Sequence, residues 1–366
     1  MLIAPAYPGG HPDDPSILRV ASRRVPRDPE DRLMKWSQLR RVHERLGERC
    51  FDLIHIQTPF LAHYAGIALA RRWGIPAIAT YHTLFEEYLH HYASLFPRSA
   101  TRALARGFSR SQCNALDAVI VPSTAMKTML GRYGVQTPMT VVPTGIRLAE
   151  FSYGDGARFR VQHGIEPHRR IALFVGRVAF EKNIEFLLRM LPRVRDQIPQ
   201  ILLLICGEGP AQRALASLVH ALGLRDHVRF VAYLDRANAL LDCYRAADVF
   251  VFASRTETQG LVLLEAMALG VPVVSTAVMG TREIVGPGKG AVVSAEDERE
   301  FAAAVVRVLS DDALRERLSA EALQFAKTWS APVMAVRLHA AYQEVVSRSP
   351  ARPARNRPSS APALKL

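Results

Sequence analysis

Short apolar runs separated by longer amphipathic stretches recur along the whole chain, a pattern that predicts βα units with parallel sheets. In the second half, IALFV (171–175), ILLLI (201–205), VRFVAYL (228–234), DVFVFAS (248–254), PVVST (272–276) and AVVS (291–294) read as six strands. Between them, NIEFLLRML and AQRALASLVHALG carry apolar residues at helical spacing. The first half repeats the theme with LIAPA, DLIHIQ (52–57), PAIATYH (76–82), DAVIVPS (117–123) and MTVVP (139–143). VPTGI at 142–146, with Pro and Gly between the two series, marks the domain boundary. The expected architecture is α/β, with two doubly wound, Rossmann-like domains at residues 1–145 and 146–328. Their strand ends are expected to face a cleft, where open α/β sheets bind ligands.

Composition adds limits. A chain of 366 residues, 49% hydrophobic and 22% charged, is long and apolar enough for two cores. It has no apolar run of about eighteen residues, so no transmembrane helix is expected, and its start lacks a signal-peptide layout. Cys50, Cys113, Cys206 and Cys243 form no CxxC pair, which points to a reducing, cytoplasmic compartment without structural zinc. The net charge is +13. Residues 348–366 hold four Arg, one Lys and no acid among Pro, Ala and Ser, and read as a disordered basic tail. The remaining excess fits either an anionic partner, membrane surface or nucleic acid, or a compositional bias toward arginine. No aromatic–basic interleaving or nucleic-acid-binding module supports the nucleic-acid option.

The chemistry gathers at predicted strand ends. GRVAFEKN places Gly176, Arg177 and Lys182 after the first strand of the second half, with Asn183 as a candidate helix N-cap. Two cations there suit a diphosphate, the competing reading being a surface pair of Lys182 with Glu181 or Glu185. CGEGP supplies a tight turn with Gly207 and Glu208. SRTETQGLVLLEAMALGVP puts Glu257 in a loop, then Gln259, Gly260 and Leu261 at a helix start, then Glu265 within the helix. Amides at that start can bind phosphate oxygens, and the two glutamates can accept hydroxyls of a sugar and a ribose. Two solvated surface acids are the competing reading. In the first half, YHTLFEEYLHHY (81–92) begins at a strand end, and His82 is read as a ligand hydrogen-bonder in preference to a zinc ligand. There is no Asp-x-Asp pair, so no metal or other cofactor is expected. Arg98, Arg102, Arg106 and Arg110 follow at four-residue intervals, with Phe96, Ala103, Leu104 and Phe108 expected mostly on other faces. Such a helix either lies on an anionic membrane or presents a solvated face.

Taken together, GRVAFEKN, GEGP and TETQGLVLLEAMALGVPVV resemble the retaining family 4 glycosyltransferases of the GT-B fold, whose Glu-x7-Glu motif matches Glu257 and Glu265. The resemblance runs from residue 1 to about 347. It implies that Arg177 and Lys182 hold a donor diphosphate, that Glu257 holds the transferred sugar and Glu265 the ribose, and that His82 lies at the reaction centre. HTLFEEYLHHY is similar to a stretch of the 1,2-diacylglycerol 3-glucosyltransferases, which places Phe85, Glu86 and Tyr88 with the arginines on the acceptor and membrane side. Phe85, Glu87 and His91 depart from that stretch. The family's first strand and Gly-rich loop have no counterpart, MLIAPAYPGG matching its second strand. Residues 329–347 resemble its last helix, which returns to the first domain. The expected activity is transfer of a hexose, UDP-linked, to a lipid hydroxyl at the inner membrane face. A glycan acceptor and a non-catalytic sugar-nucleotide binder are the alternatives.

Overall fold

The computed structural model describes residues 1–8, 14–25, 28–47, 49–82 and 98–349, with the backbone alone described for 28–31 and 98–100. Phe85, Glu86, Tyr88 and the tail from residue 350 on lie outside the described residues.

The chain divides into two compact units. The first comprises residues up to Val121, Leu130–Thr140 and the chain from His339; the second comprises Pro122–Met129 and Val141–Leu338. The first unit contains β1 (Leu2–Pro5), β2 (Ile17–Val20), β3 (Ser22–Val25), β4 (Asp28–Met34), α1 (Trp36–Arg40), α2 (Val42–Leu46), β5 (Ile54–Ile56), α3 (Leu61–Trp73), β6 (Ala77–Thr80), α4 (Arg98–Asn114) and β7 (Ala118–Val121). Helix α5 (Thr124–Arg132) and strand β8 (Met139–Val141) each straddle the division. Strands β5, β6, β7 and β8 stand side by side in that order, with parallel pairs such as His55 opposite Ile78. Of these, β7 is buried from end to end, while β5, β6 and β8 are buried only in part. The N-terminal run does not join that sheet: β1 pairs in parallel with β2, and β3 with β4 antiparallel, in two separate two-stranded sheets. These four strands thus stand outside the parallel sheet of this unit. SRRV and DPEDRLM show no apolar alternation, so their pairing left no trace in the hydrophobic pattern.

In the second unit all six expected strands form one parallel sheet. They are β9 (Ile171–Val175), β10 (Leu202–Cys206), β11 (Val228–Val231), β12 (Val249–Phe252), β13 (Val273–Ser275) and β14 (Ala291–Val293), ordered β11-β10-β9-β12-β13-β14. Helices α6 (Gly156–Gln162), α7 (Ile184–Arg195), α8 (Gln212–Ala221), α9 (Ala239–Ala246), α10 (Leu261–Ala268), α11 (Glu298–Ser310) and α12 (Asp312–Lys327) complete the series, and α13 (Ala331–Arg348) straddles the division between the units. Strands β9, β10 and β12 are buried from end to end, and α7 adds Ile184, Leu187, Leu188, Leu191 and Val194 to the same core. Asp297 and Asp311 cap α11 and α12 with side-chain carboxylates. Ile146 pairs with Ser330 in an isolated parallel bridge, tying the start of the unit to the start of α13.

Candidate functional site

The second sheet reverses its direction of growth between β9 and β12. The chain moves outward from β9 through β10 to β11, then returns to β9's other side as β12. Loops on the two sides of such a switch diverge and open a crevice at the strands' carboxyl ends. Arg177 and Lys182 follow β9, and Glu257 follows β12. The structure brings two of these together: Lys182 Nζ donates to Glu257 Oε1, with both side chains mostly shielded from solvent. Glu185, a surface partner of Lys182 in the competing reading, instead holds Arg189 at 2.6 Å. Arg177 is exposed and makes no side-chain hydrogen bond or ion pair among the described residues.

Neighbouring bonds fix these loops. Asn183 occupies the N-cap position of α7 as expected, with φ 56°, but its side-chain amide donates to Ala253 O (3.2 Å) and Glu296 Oε1 (3.1 Å) and makes no capping bond to the helix. Arg255 pairs with Glu296 as well, and its hydrogen bonds hold that carboxyl below the usual carboxylate range. The loops after β9, β12 and β14 are thereby joined.

Gly260, with φ 94°, turns the chain into α10; a Cβ there would sit 2.9 Å from Thr281 Cγ2 in a backbone region that other residues rarely adopt. The first amides of α10, beginning at Leu261, have no partner within the helix and carry its positive end. The Gln259 side chain is committed elsewhere. Thr144 N–H donates to its Oε1 and its Nε2 donates to Thr144 O, both at 2.8 Å. Gly176 and Gly207 end β9 and β10, where their N–H groups donate to Cys206 O (3.0 Å) and Val231 O (2.9 Å). Glu208 is exposed just beyond, and its carbonyl accepts from Val178 N–H at 2.9 Å.

Glu265 is not a solvated acid: the residue is 4% exposed. Tyr244 Oη donates to its Oε2 at 2.9 Å, and Arg236 Nη2 pairs with its Oε1. Burial and the neighbouring carboxylate push the Tyr244 hydroxyl well above its ordinary value. Neither Arg236 nor Tyr244 was anticipated. Tyr244 sits at helical spacing among Leu240, Leu241 and Cys243 and reads as plain core, while Arg236 lies in a polar loop without a motif. Two further hydroxyls, Ser254 Oγ and Thr276 Oγ1 just past β12 and β13, are buried without a hydrogen-bond partner among the described residues.

In the first unit His82 follows β6, and its Nε2 lies 3.3 Å from Gln57 Oε1, a contact in which the imidazole donates. The protein packed round the ring lowers its pKa by desolvation. Gln57 in turn lies over His55, whose Nδ1 meets Tyr342 Oη and whose Nε2 meets Thr80 Oγ1, both at 2.6 Å. Burial drives His55 down to about 4. Gln57, Thr80 and His82 line a small cavity of about 40 Å³ together with His63, Gln112 and Cys113, room on the order of one water molecule. The signal for His55 was a histidine inside an otherwise apolar strand run, DLIHIQ.

On α4, Arg102, Arg106 and Arg110 line one groove of about 470 Å³ with Ala103, Gly107 and Tyr133, and the Arg106 guanidinium lies 5.4 Å from the Tyr133 ring centre. Ala103 therefore shares the arginine face, contrary to the expected separation, while Thr101, Ala105 and Ser109 form the buried face. Leu104 is 66% exposed, and Phe108 stacks on Phe60 at 5.7 Å. The Arg98 side chain lies outside the described residues. No helix among the described residues is long and apolar enough to cross a membrane.

Two family models cover most of the chain: "Glycosyltransferase Family 4" matches residues 1–150 and "Glycosyl transferases group 1" residues 155–325. An alpha-monoglucosyldiacylglycerol synthase of Streptococcus pneumoniae is 34% identical over 72% of this chain and 60% of its own length. The matched region thus spans well under two thirds of that relative. A D-inositol 3-phosphate glycosyltransferase of Stackebrandtia nassauensis is 32% identical over 84% of this chain and 71% of its own. Among solved structures, the sucrose-phosphate synthase of Thermosynechococcus elongatus superposes with a TM-score of 0.72 at 26% identity, covering 92% of this chain and 87% of that one.

Proposed function

The chain belongs to the family 4 glycosyltransferases, and on that premise we propose that it moves a hexose from a UDP-linked donor to a hydroxyl of a membrane lipid such as diacylglycerol, with retention of configuration. The observation that carries the reading is the Lys182–Glu257 pair at the switch between β9 and β12, beside the amide end of α10. In the transfer the bond from the anomeric carbon to the diphosphate breaks, and its electron pair leaves with the phosphate. The acceptor oxygen bonds to that carbon on the same face, and its proton passes to the departing phosphate. Arg177, Lys182 and the amides from Gly260 onward offset the developing negative charge, which is the largest contribution such a site makes. Glu257 accepts hydroxyls of the sugar, Glu265 those of the ribose, and His82 stands on the acceptor side. Side chains and amides supply all the positive charge, so the reading needs no metal.

The acceptor assignment rests on the diacylglycerol synthase likeness and on the arginine groove of α4. Each arginine near anionic lipid adds roughly 1 kcal/mol of attraction, enough for peripheral attachment at the inner membrane face. The test is a screen of nucleotide-sugars against a membrane-lipid extract, with products identified by mass and anomeric configuration. A glycosylated diacylglycerol from UDP-glucose is expected. Transfer only to a water-soluble acceptor such as an inositol phosphate or a glycan would overturn the lipid assignment. Hydrolysis and transfer both absent with every donor would leave a sugar-nucleotide binder.

A further inference from the structure

Glu265 presents an electrostatic problem that Arg236 solves. A carboxylate so fully buried favours its neutral form unless a cation or several donors meet it. Among the described residues two groups do: Tyr244 Oη from α9 on one oxygen and the Arg236 guanidinium on the other. Arg236 is held in place by its own turn, where the Asp235 carboxylate accepts the N–H groups of Ala237 (3.1 Å), Asn238 (2.9 Å) and Ala239 (3.3 Å) just ahead of α9. Its side chain is 62% exposed, so the fold does not depend on burying it.

We propose that Arg236 is a positioning residue for the donor, holding the Glu265 carboxylate in the orientation that accepts the ribose hydroxyls. The inference rests on the reading of Glu265 as the ribose acceptor. Without Arg236 the carboxylate loses the partner on its Oε1, and among the described residues only Tyr244 Oη remains to orient it.

The experiment measures UDP affinity by calorimetry and donor KM against kcat for Arg236→Met, Arg236→Lys and Glu265→Gln. Arg236→Met is expected to weaken UDP about tenfold. KM should rise far more than kcat falls, and Arg236→Lys should recover most of the affinity. If Glu265→Gln weakens UDP while Arg236→Met binds as tightly as the parent, the inference fails and the ribose reading stands. If Glu265→Gln leaves UDP affinity intact, the ribose reading itself fails, and the inference with it.

Discussion

His55 Nδ1 lies 2.6 Å from the hydroxyl of Tyr342, 287 residues further along the chain, so one imidazole ties a strand end of the first unit to its last helix. The other ring nitrogen meets Thr80 Oγ1 at the same distance, and both nitrogens are thus engaged. Burial lowers the pKa from the ordinary 6.5 to about 4. Between those values the unfolded chain binds the proton and the folded one does not, so stability is lost as pH falls through this window. The loss is about 3 kcal/mol. Urea unfolding at the two ends of the window should show His55→Gln flattening this slope while costing stability near neutrality. Tyr342→Phe should cost about 1 kcal/mol and keep the slope. An undiminished slope in His55→Gln would assign the acid sensitivity to His63 and His82, whose pKa values burial also lowers.

Lys182 and Glu257 form a unit, and their substitutions should not add. Lys182→Ala is expected to lower turnover by about two orders of magnitude, the scale of a lost oxyanion donor. It also strands a largely buried Glu257. Adding Glu257→Gln should then cost much less than it does in the parent, since the carboxylate it removes has already lost its partner. Steady-state kinetics on the four members of this cycle decide the point. Full turnover by Lys182→Ala would remove the lysine from the reaction.

The second unit was nearly all legible in the sequence because its strands are buried on both faces. IALFV and VFVF can be little else, and the turns between them carry Gly and Pro. The loop carrying Glu257 and the helix carrying Glu265 were equally readable, since Gly260 and Gly270 punctuate a run of strong helix formers. What could not be read was anything dependent on side-chain partners from distant segments. Tyr244 and Arg236 converge on Glu265, and Tyr342 on His55, through contacts that no local pattern encodes. Strands β3 and β4 escaped notice for a different reason: their pairing is by backbone, in a stretch too polar for periodicity to register.

Asp242 in α9 supports the same region from behind. The residue is 3% exposed and accepts the Asp155 N–H (2.6 Å) and two bonds from Arg158, Nε at 2.7 Å and Nη2 at 2.9 Å. The Arg158 side chain is half in water, so the pair is anchored at one end only. Arg158→Met leaves the buried Asp242 carboxylate without its cation and should lower stability. Asp242→Asn should cost a similar amount, and the double variant less than the sum of the two. Denaturant midpoints measure all three, and strict additivity would mean that the two side chains act independently.

Backbone strain is concentrated beside the Glu257 loop. Ala277 and Met279 adopt φ of 52° and 54°, a left-handed conformation that non-glycine residues enter at a cost of roughly 1–2 kcal/mol each. Gly280 comes next, and its N–H donates to Glu257 O at 3.0 Å. A Cβ on Gly280 would lie 2.1 Å from Thr258 O, a backbone atom that also accepts from Ser123 Oγ at 2.7 Å and cannot easily retreat. The two neighbours should therefore respond in opposite directions. Met279→Gly relieves the strain and should raise stability by about 1 kcal/mol. Gly280→Ala pushes the Glu257–Thr258 backbone away and should lower both stability and turnover. Thermal denaturation with parallel donor kinetics separates the two effects. A lower midpoint for Met279→Gly would show that packing of the methionine side chain outweighs its backbone strain.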